Sequence, residues 1–137
     1  NFPNDNLVNR KNIILIPHLG ASTEEAEDNC AVMAADEIRN YFENGNIINS
    51  VNFPELDMGP LEKGIRLSFI VKDMADPAAV ILKMLSEAGV QVSRIMASRR
   101  PDDISYVLAE VASENVPAFL FSGEDGAKII RYRTIEK

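Results

Sequence analysis

His18 is the only histidine in the chain. It follows the apolar run Ile13-Ile14-Leu15-Ile16-Pro17, at the point where a helix is expected to begin. An imidazole titrates near neutrality, so at the end of a buried strand it can give or take the proton of a carbonyl or alcohol. Strand ends of that kind are where ligands sit in open α/β folds. Gly20, two residues on, has no side chain and would let a ligand approach the backbone closely. On spacing alone, however, a surface or capped histidine is the more common outcome. The remaining reactive types suggest bland roles. Cys30 falls on an apolar helical stripe and is expected to be a buried packing residue. Arg99-Arg100 beside Pro101 reads as a solvated hairpin end, with an anion site as the alternative. Arg131 and Arg133 alternate on the last strand and are expected to face solvent. Asp102-Asp103 lacks the further ligands a metal would require, so no metal site is expected.

The elements that must position these residues fall into two parts. Ile13–Ile16 is a continuous apolar run, as in a strand buried on both faces, yet no strand–helix series precedes it to complete a sheet. Ser22 followed by Glu25 forms a capping box, and Glu24, Glu25, Glu27 and Asp28 suit the positive end of a helix dipole. Ala26, Cys30, Met33, Ala34, Ile38, Tyr41 and Phe42 then recur at helical spacing up to Asn44-Gly45, where Gly45 supplies a left-handed stop. Asn46–Phe53 reads as a short extended segment. Pro54–Gly64, with two prolines and two glycines, reads as a linker.

From Ile65 the period changes to two. Ile65, Leu67, Phe69 and Val71 alternate with Arg66, Ser68 and Lys72, as in a half-buried strand. Asp76-Pro77 is an N-cap and first-turn pair for a helix whose apolar face is Ile81, Leu82, Leu85 and Ala88, stopped by Gly89. Val90, Val92 and Met96 mark a second strand, the Arg100–Asp103 turn follows, and Ile104–Val111 forms a third. A short helix over residues 114–122, with Phe119 and Phe121 in the core, and a strand over Ala127–Ile135 complete a βαββαβ order. The fold class is therefore α+β, a ferredoxin-like four-stranded antiparallel sheet with both helices on one face. A strand and a long helix precede it.

Composition narrows the function classes. The chain has 137 residues, 14 basic and 21 acidic, for a net charge of −7. All of that imbalance lies in residues 1–63, with eleven acidic residues against four basic ones; residues 64–137 hold ten of each. A nucleic-acid binder needs a basic face, and the third strand lacks the aromatic pattern of an RNA-recognition sheet. No apolar run is long enough to span a bilayer as a helix. A single cysteine excludes an internal disulfide and fits a reducing cytoplasm. The chain opens Asn1-Phe2-Pro3 without a methionine and is expected to be processed or a fragment.

Asn12-Ile13-Ile14-Leu15-Ile16-Pro17-His18-Leu19-Gly20-Ala21-Ser22-Thr23 resembles the catalytic-histidine segment of the NAD-dependent D-2-hydroxyacid dehydrogenases. The stretch Asn44–Pro54 resembles the phosphoglycerate-oxidising branch of that family. This resemblance implies that His18 is the catalytic acid–base, that His18 and Gly20 line the nicotinamide pocket, and that the helix from Thr23 crosses back to a substrate domain. The family's substrate-binding Arg, its His-pairing Glu and its Gly-x-Gly-x-x-Gly fingerprint have no counterpart in this sequence. NAD is therefore expected to bind the larger parent, through upstream nucleotide- and substrate-binding domains, and not this segment. Residues 65–137 resemble ACT domains, which sense amino acids such as serine at a dimer interface, with residues 1–53 as the tail of the catalytic region and 54–64 between them. That likeness implies a homodimer and an effector site at the loop Lys72–Pro77 and the start of strand two, involving Asp73, Asp76 and Gln91. Two departures weigh against serine: Ala78 and Ala79 follow Pro77 where glycine is common, and Met74 and Ala75 replace polar residues. A non-catalytic amino-acid-binding or assembly module is the competing reading.

Overall fold

A computed structural model describes residues 6–112 and 123–137. The elements are α1 (Glu24–Asn44), β1 (Ile65–Lys72), α2 (Pro77–Glu87), β2 (Val92–Arg99), β3 (Ile104–Val111), α3 (Gly123–Gly126) and β4 (Ile129–Glu136). The chain divides into two compact units, Asn1–Ala35 and Asp36–Lys137, and α1 begins in the first and ends in the second.

In the first unit, residues 13–16 form no strand, contrary to the pattern of the sequence. Ile14 is 89% exposed and Ile16 76% exposed. An apolar run becomes a strand only when neighbouring strands take its backbone hydrogen bonds, and no such neighbour is present among the described residues. The helix start also differs from expectation. Thr23, not Ser22, caps it: the Thr23 hydroxyl accepts from the Ala26 amide at 3.2 Å. No glutamate stands three residues after Thr23 to complete a capping box. Cys30 is exposed, where a buried packing role was expected.

The second unit carries the sheet, in the order β2-β3-β1-β4. All three pairings are antiparallel. This is the split-βαβ topology read from the sequence, and the fold is α+β and compatible with an ACT-type, ferredoxin-like domain. Helix α2 forms where its cap dictates: the Asp76 carboxylate accepts from the Ala79 amide at 3.2 Å, and Pro77 occupies the first turn. Its Ile81 and Leu85 pack on Leu67, Phe69, Val71, Val107 and Ala109 to form one core. The expected helix at 114–122, with Phe119 and Phe121, lies outside the described residues.

The opposite face of the sheet was expected to be polar and is not. Ile47, Leu56, Met58, Tyr106 and Leu108 form a second buried cluster there, with Tyr41, Phe53 and Ile70 packed against it. Residues 54–64, expected as a linker, thus contribute Leu56, Met58 and Leu61 to the interior. Ile47 and Leu56 exchange backbone hydrogen bonds of 2.9 and 3.0 Å, folding the arm back on itself. Gly45 makes the entry to this arm possible. Its φ is +75°, and a Cβ there would lie 2.8 Å from Ile135 Cδ1 and 3.0 Å from Leu108 Cδ2. The left-handed turn strains any other residue at that position, and the close approach would require the Ile135 and Leu108 side chains to shift.

Candidate functional site

Covering the second face buries polar groups, and a buried polar group must find partners. Arg66 and Ser68, the polar half of the β1 alternation, are both buried, and Arg66 is 0% exposed. Arg66 Nη1 donates to the carbonyls of Asn44 at 2.6 Å and Gly59 at 2.9 Å. Its Nη2 pairs with Glu110 Oε1 at 2.6 Å. Arg94 reaches the same carboxylate oxygen at 3.5 Å. The Asn46 side chain accepts from the Met58 amide at 3.0 Å and donates to the Gly59 carbonyl at 3.0 Å. Asn44 Oδ1 accepts from the Leu61 amide at 2.8 Å. A guanidinium in a dry setting is tolerable because most of its donors meet carbonyls or a carboxylate.

Two further side chains fix the end of α1 to the sheet. Tyr106 donates to the Gly45 carbonyl at 2.7 Å. Arg133, expected to face solvent, instead donates to the Phe42 carbonyl at 3.3 Å and to that of Tyr41. Its guanidinium lies 4.6 Å from the Tyr41 ring centre and 5.6 Å from that of Phe42. A cation at this end of a helix meets both the last-turn carbonyls and the negative pole of the dipole. Arg131 is exposed, as expected.

The residues singled out from the sequence are distributed as follows. His18 and Gly20 lie in the first unit, both exposed, and a Cβ at Gly20 would meet nothing within 4 Å. Asp73 and Asp76 stand at one end of the sheet, where the Asp73 amide donates to the Asp103 carbonyl at 3.1 Å. Gln91 stands at the other end, its carbonyl accepting from the Ala112 amide at 3.0 Å. The strand register puts Lys72 opposite Ile104 and Ile65 opposite Val111, so β1 separates the two ends by its full eight residues. That is roughly 25 Å. One copy of the chain does not bring Asp73 and Asp76 together with Gln91. Arg99 and Arg100 pair with Asp103 and Asp102 at the hairpin end, the solvated arrangement expected of them. Among the described residues no group of three or more His, Cys, Asp or Glu side chains is placed to hold a metal ion. No described helix is long and apolar enough to cross a membrane.

No family model matches the chain. It is, however, similar to proteins named D-3-phosphoglycerate dehydrogenase. It is 32% identical over 113 residues to D-3-phosphoglycerate dehydrogenase 2 of Saccharomyces cerevisiae, a match covering 80% of this chain and 24% of the relative. It is 35% identical over 82 residues to the Escherichia coli protein, covering 60% of this chain and 20% of that one. For the Haemophilus influenzae protein the figures are 29% over 124 residues, 90% and 30%. The chain is a homologue of part of D-3-phosphoglycerate dehydrogenase. It spans between a fifth and a third of the curated relatives it matches, consistent with a C-terminal portion of such a protein.

The buried lock of Arg66, Glu110, Asn44, Asn46 and Tyr106 was missed from the sequence. One signal was available. Tyr106-Val107-Leu108-Ala109 is an unbroken apolar run, which marks a strand covered on both faces; β1 beside it then cannot be half-exposed. Burial also pushes the Tyr106 phenol up from its ordinary 10 to about 12. The folded state therefore favours the neutral phenol, a contribution fully present below pH 10 and lost as pH rises from 10 toward 12. Denaturant titrations between pH 8 and 11 should show the wild type losing about 1 kcal/mol between pH 10 and 11 beyond the loss in Tyr106→Phe. Parallel curves for the two proteins would contradict this.

Proposed function

We propose that this chain is part of an NAD-dependent D-3-phosphoglycerate dehydrogenase, oxidising 3-phosphoglycerate to 3-phosphohydroxypyruvate at the entry to serine biosynthesis. The observation that carries the reading is the similarity to proteins of that name over most of the chain. The His18 segment lies where the sequence resembles the catalytic histidine of the wider dehydrogenase family. In this reading His18 takes the proton of the substrate hydroxyl as that carbon becomes a carbonyl. The residues present do not form a nucleotide cradle: His18 and Gly20 are exposed, and the chain contains no Gly-x-Gly-x-x-Gly. NAD would accordingly be held by nucleotide- and substrate-binding domains of the parent. In the full-length enzyme, His18→Gln should lower kcat for 3-phosphoglycerate by at least about a hundredfold without shifting the melting temperature. The 137-residue chain alone should not reduce 3-phosphohydroxypyruvate with NADH. Wild-type kcat in His18→Gln, or turnover by the chain alone, would contradict the assignment.

Residues 65–137 would serve this enzyme as an ACT-type regulatory and dimerisation domain. One observation favours a paired arrangement. Arg99, at the end of the edge strand β2, donates to the Ala75 carbonyl at 3.4 Å, so the 73–76 loop lies beside that end of β2. Gln91 lies at the other end. Two copies joined antiparallel along β2 would set the Asp73–Asp76 loop of one against Gln91 of the other, giving a composite site for an amino acid such as serine. Sedimentation at high concentration should show a dimer, and calorimetry should show serine or a related amino acid binding only to it. A monomer throughout would overturn the pairing; a dimer giving no heat with any amino acid would leave it an assembly module without a sensing role.

A further inference from the structure

We propose that the cleft between the C-terminal end of α1 and the outer face of β1 and β4 binds a small carboxylate with a planar apolar body. The cleft measures about 240 Å³ and is lined by Tyr41, Phe42, Ser68, Ile70, Arg131 and Arg133, together with Tyr132. Its volume falls just below the range of drug-sized pockets, which suits a small metabolite. No acidic side chain lines it.

The unusual feature is unneutralised positive charge in an acidic chain. Arg131 and Arg133 stand two residues apart on one face of β4, opposite Ile70 and Ser68. Arg39, Arg66, Arg94, Arg99 and Arg100 each pair with a carboxylate. Arg131 has no bonded partner among the described residues. Arg133 spends its Nη2 on the α1 carbonyls, but its Nε is buried with no hydrogen-bond partner. A carboxylate entering the cleft meets the exposed Arg131 guanidinium, whose fork of donors suits charge-assisted, bidentate bonds. Ser68, 4% exposed, also lines the cleft, but its hydroxyl already has the Tyr106 phenol and, at 3.5 Å, the Arg133 carbonyl as partners, so the anion's donors are those of the arginines. The cleft therefore presents arginine donors for an anion next to the 63% exposed Phe42 ring and Ile70, which suit a flat apolar group.

The site belongs to one copy of the second unit and does not depend on the enzyme assignment. Its test is an amide NMR titration of the chain with benzoate, with acetate and inorganic phosphate as comparisons. Benzoate should saturate shifts at Ser68, Ile70 and Arg131 to Arg133, and should bind more tightly than either comparison anion. Arg131→Gln, an exposed change that leaves the sheet intact, should weaken benzoate about tenfold. Phe42→Ala should weaken benzoate more than acetate. Shifts that do not saturate, that fall elsewhere or that survive Arg131→Gln unchanged would overturn the proposal. So would acetate or phosphate binding as tightly as benzoate, which would mark an adventitious ion only.

Discussion

The Arg66 guanidinium, buried between the sheet and the arm that crosses it, is the constraint on which the second unit depends. It joins three parts of the chain distant in sequence: the end of α1 through the Asn44 carbonyl, the arm through the Gly59 carbonyl, and β3 through Glu110. Its cost is desolvation, offset by bonds that are short and charge-assisted. Once Arg66 is inside, the arm is held over the sheet, because its departure would break the Gly59 carbonyl bond and expose Leu56 and Met58 to water. Removing one member of such a pair costs about 3–5 kcal/mol, far more than a surface ion pair contributes. The second apolar cluster and the arm's own hydrogen bonds then follow from a geometry the guanidinium imposes.

This lock also determines what the end of α1 can do. Tyr106, Arg133 and Arg66 together hold the helix terminus from three sides, each through a backbone carbonyl of Tyr41, Phe42, Asn44 or Gly45. The hairpin-end loop beside Asp73 and Asp76 and the arginine-lined cleft on the outer face are left open by this lock. The effector site proposed at the first would need a second copy, because the sheet length separates that loop from Gln91. The second is complete in one copy and lies on the opposite face from α2. A domain covered on both faces offers small-molecule sites at its ends and margins, and these two are of that kind.

Much of the second unit was legible in the sequence. Asp76-Pro77 marked the start of α2, Gly89 its stop, and the alternation from Ile65 the first strand, because caps and period-two patterns act locally. The polar half of that alternation misled. Arg66 and Ser68 looked solvent-facing, and only the covering arm, a long-range event, makes them interior. Arg133 misled for the same reason, since its partners are carbonyls 91 and 92 residues away in sequence. The Ile13–Ile16 run misled in the opposite direction: its composition is that of a buried strand, but pairing requires neighbours that the described residues do not supply. His18 was legible as a chemical candidate through family resemblance. Its surroundings, an exposed segment in the first unit, carry no geometry that spacing could have disclosed.

The most direct measurement of the Arg66 lock is amide hydrogen exchange at Met58 and Leu61, whose N–H groups lie outside any helix or strand and bond to Asn46 and Asn44 side chains. If the guanidinium makes the arm part of the core, these two amides exchange as slowly as those of the central strands β1 and β3 in the wild type. In Arg66→Met they should open first, while the sheet stays protected. Met58 and Leu61 exchanging at the rate of an unstructured chain in the wild type would contradict the account, as would equal protection with and without Arg66.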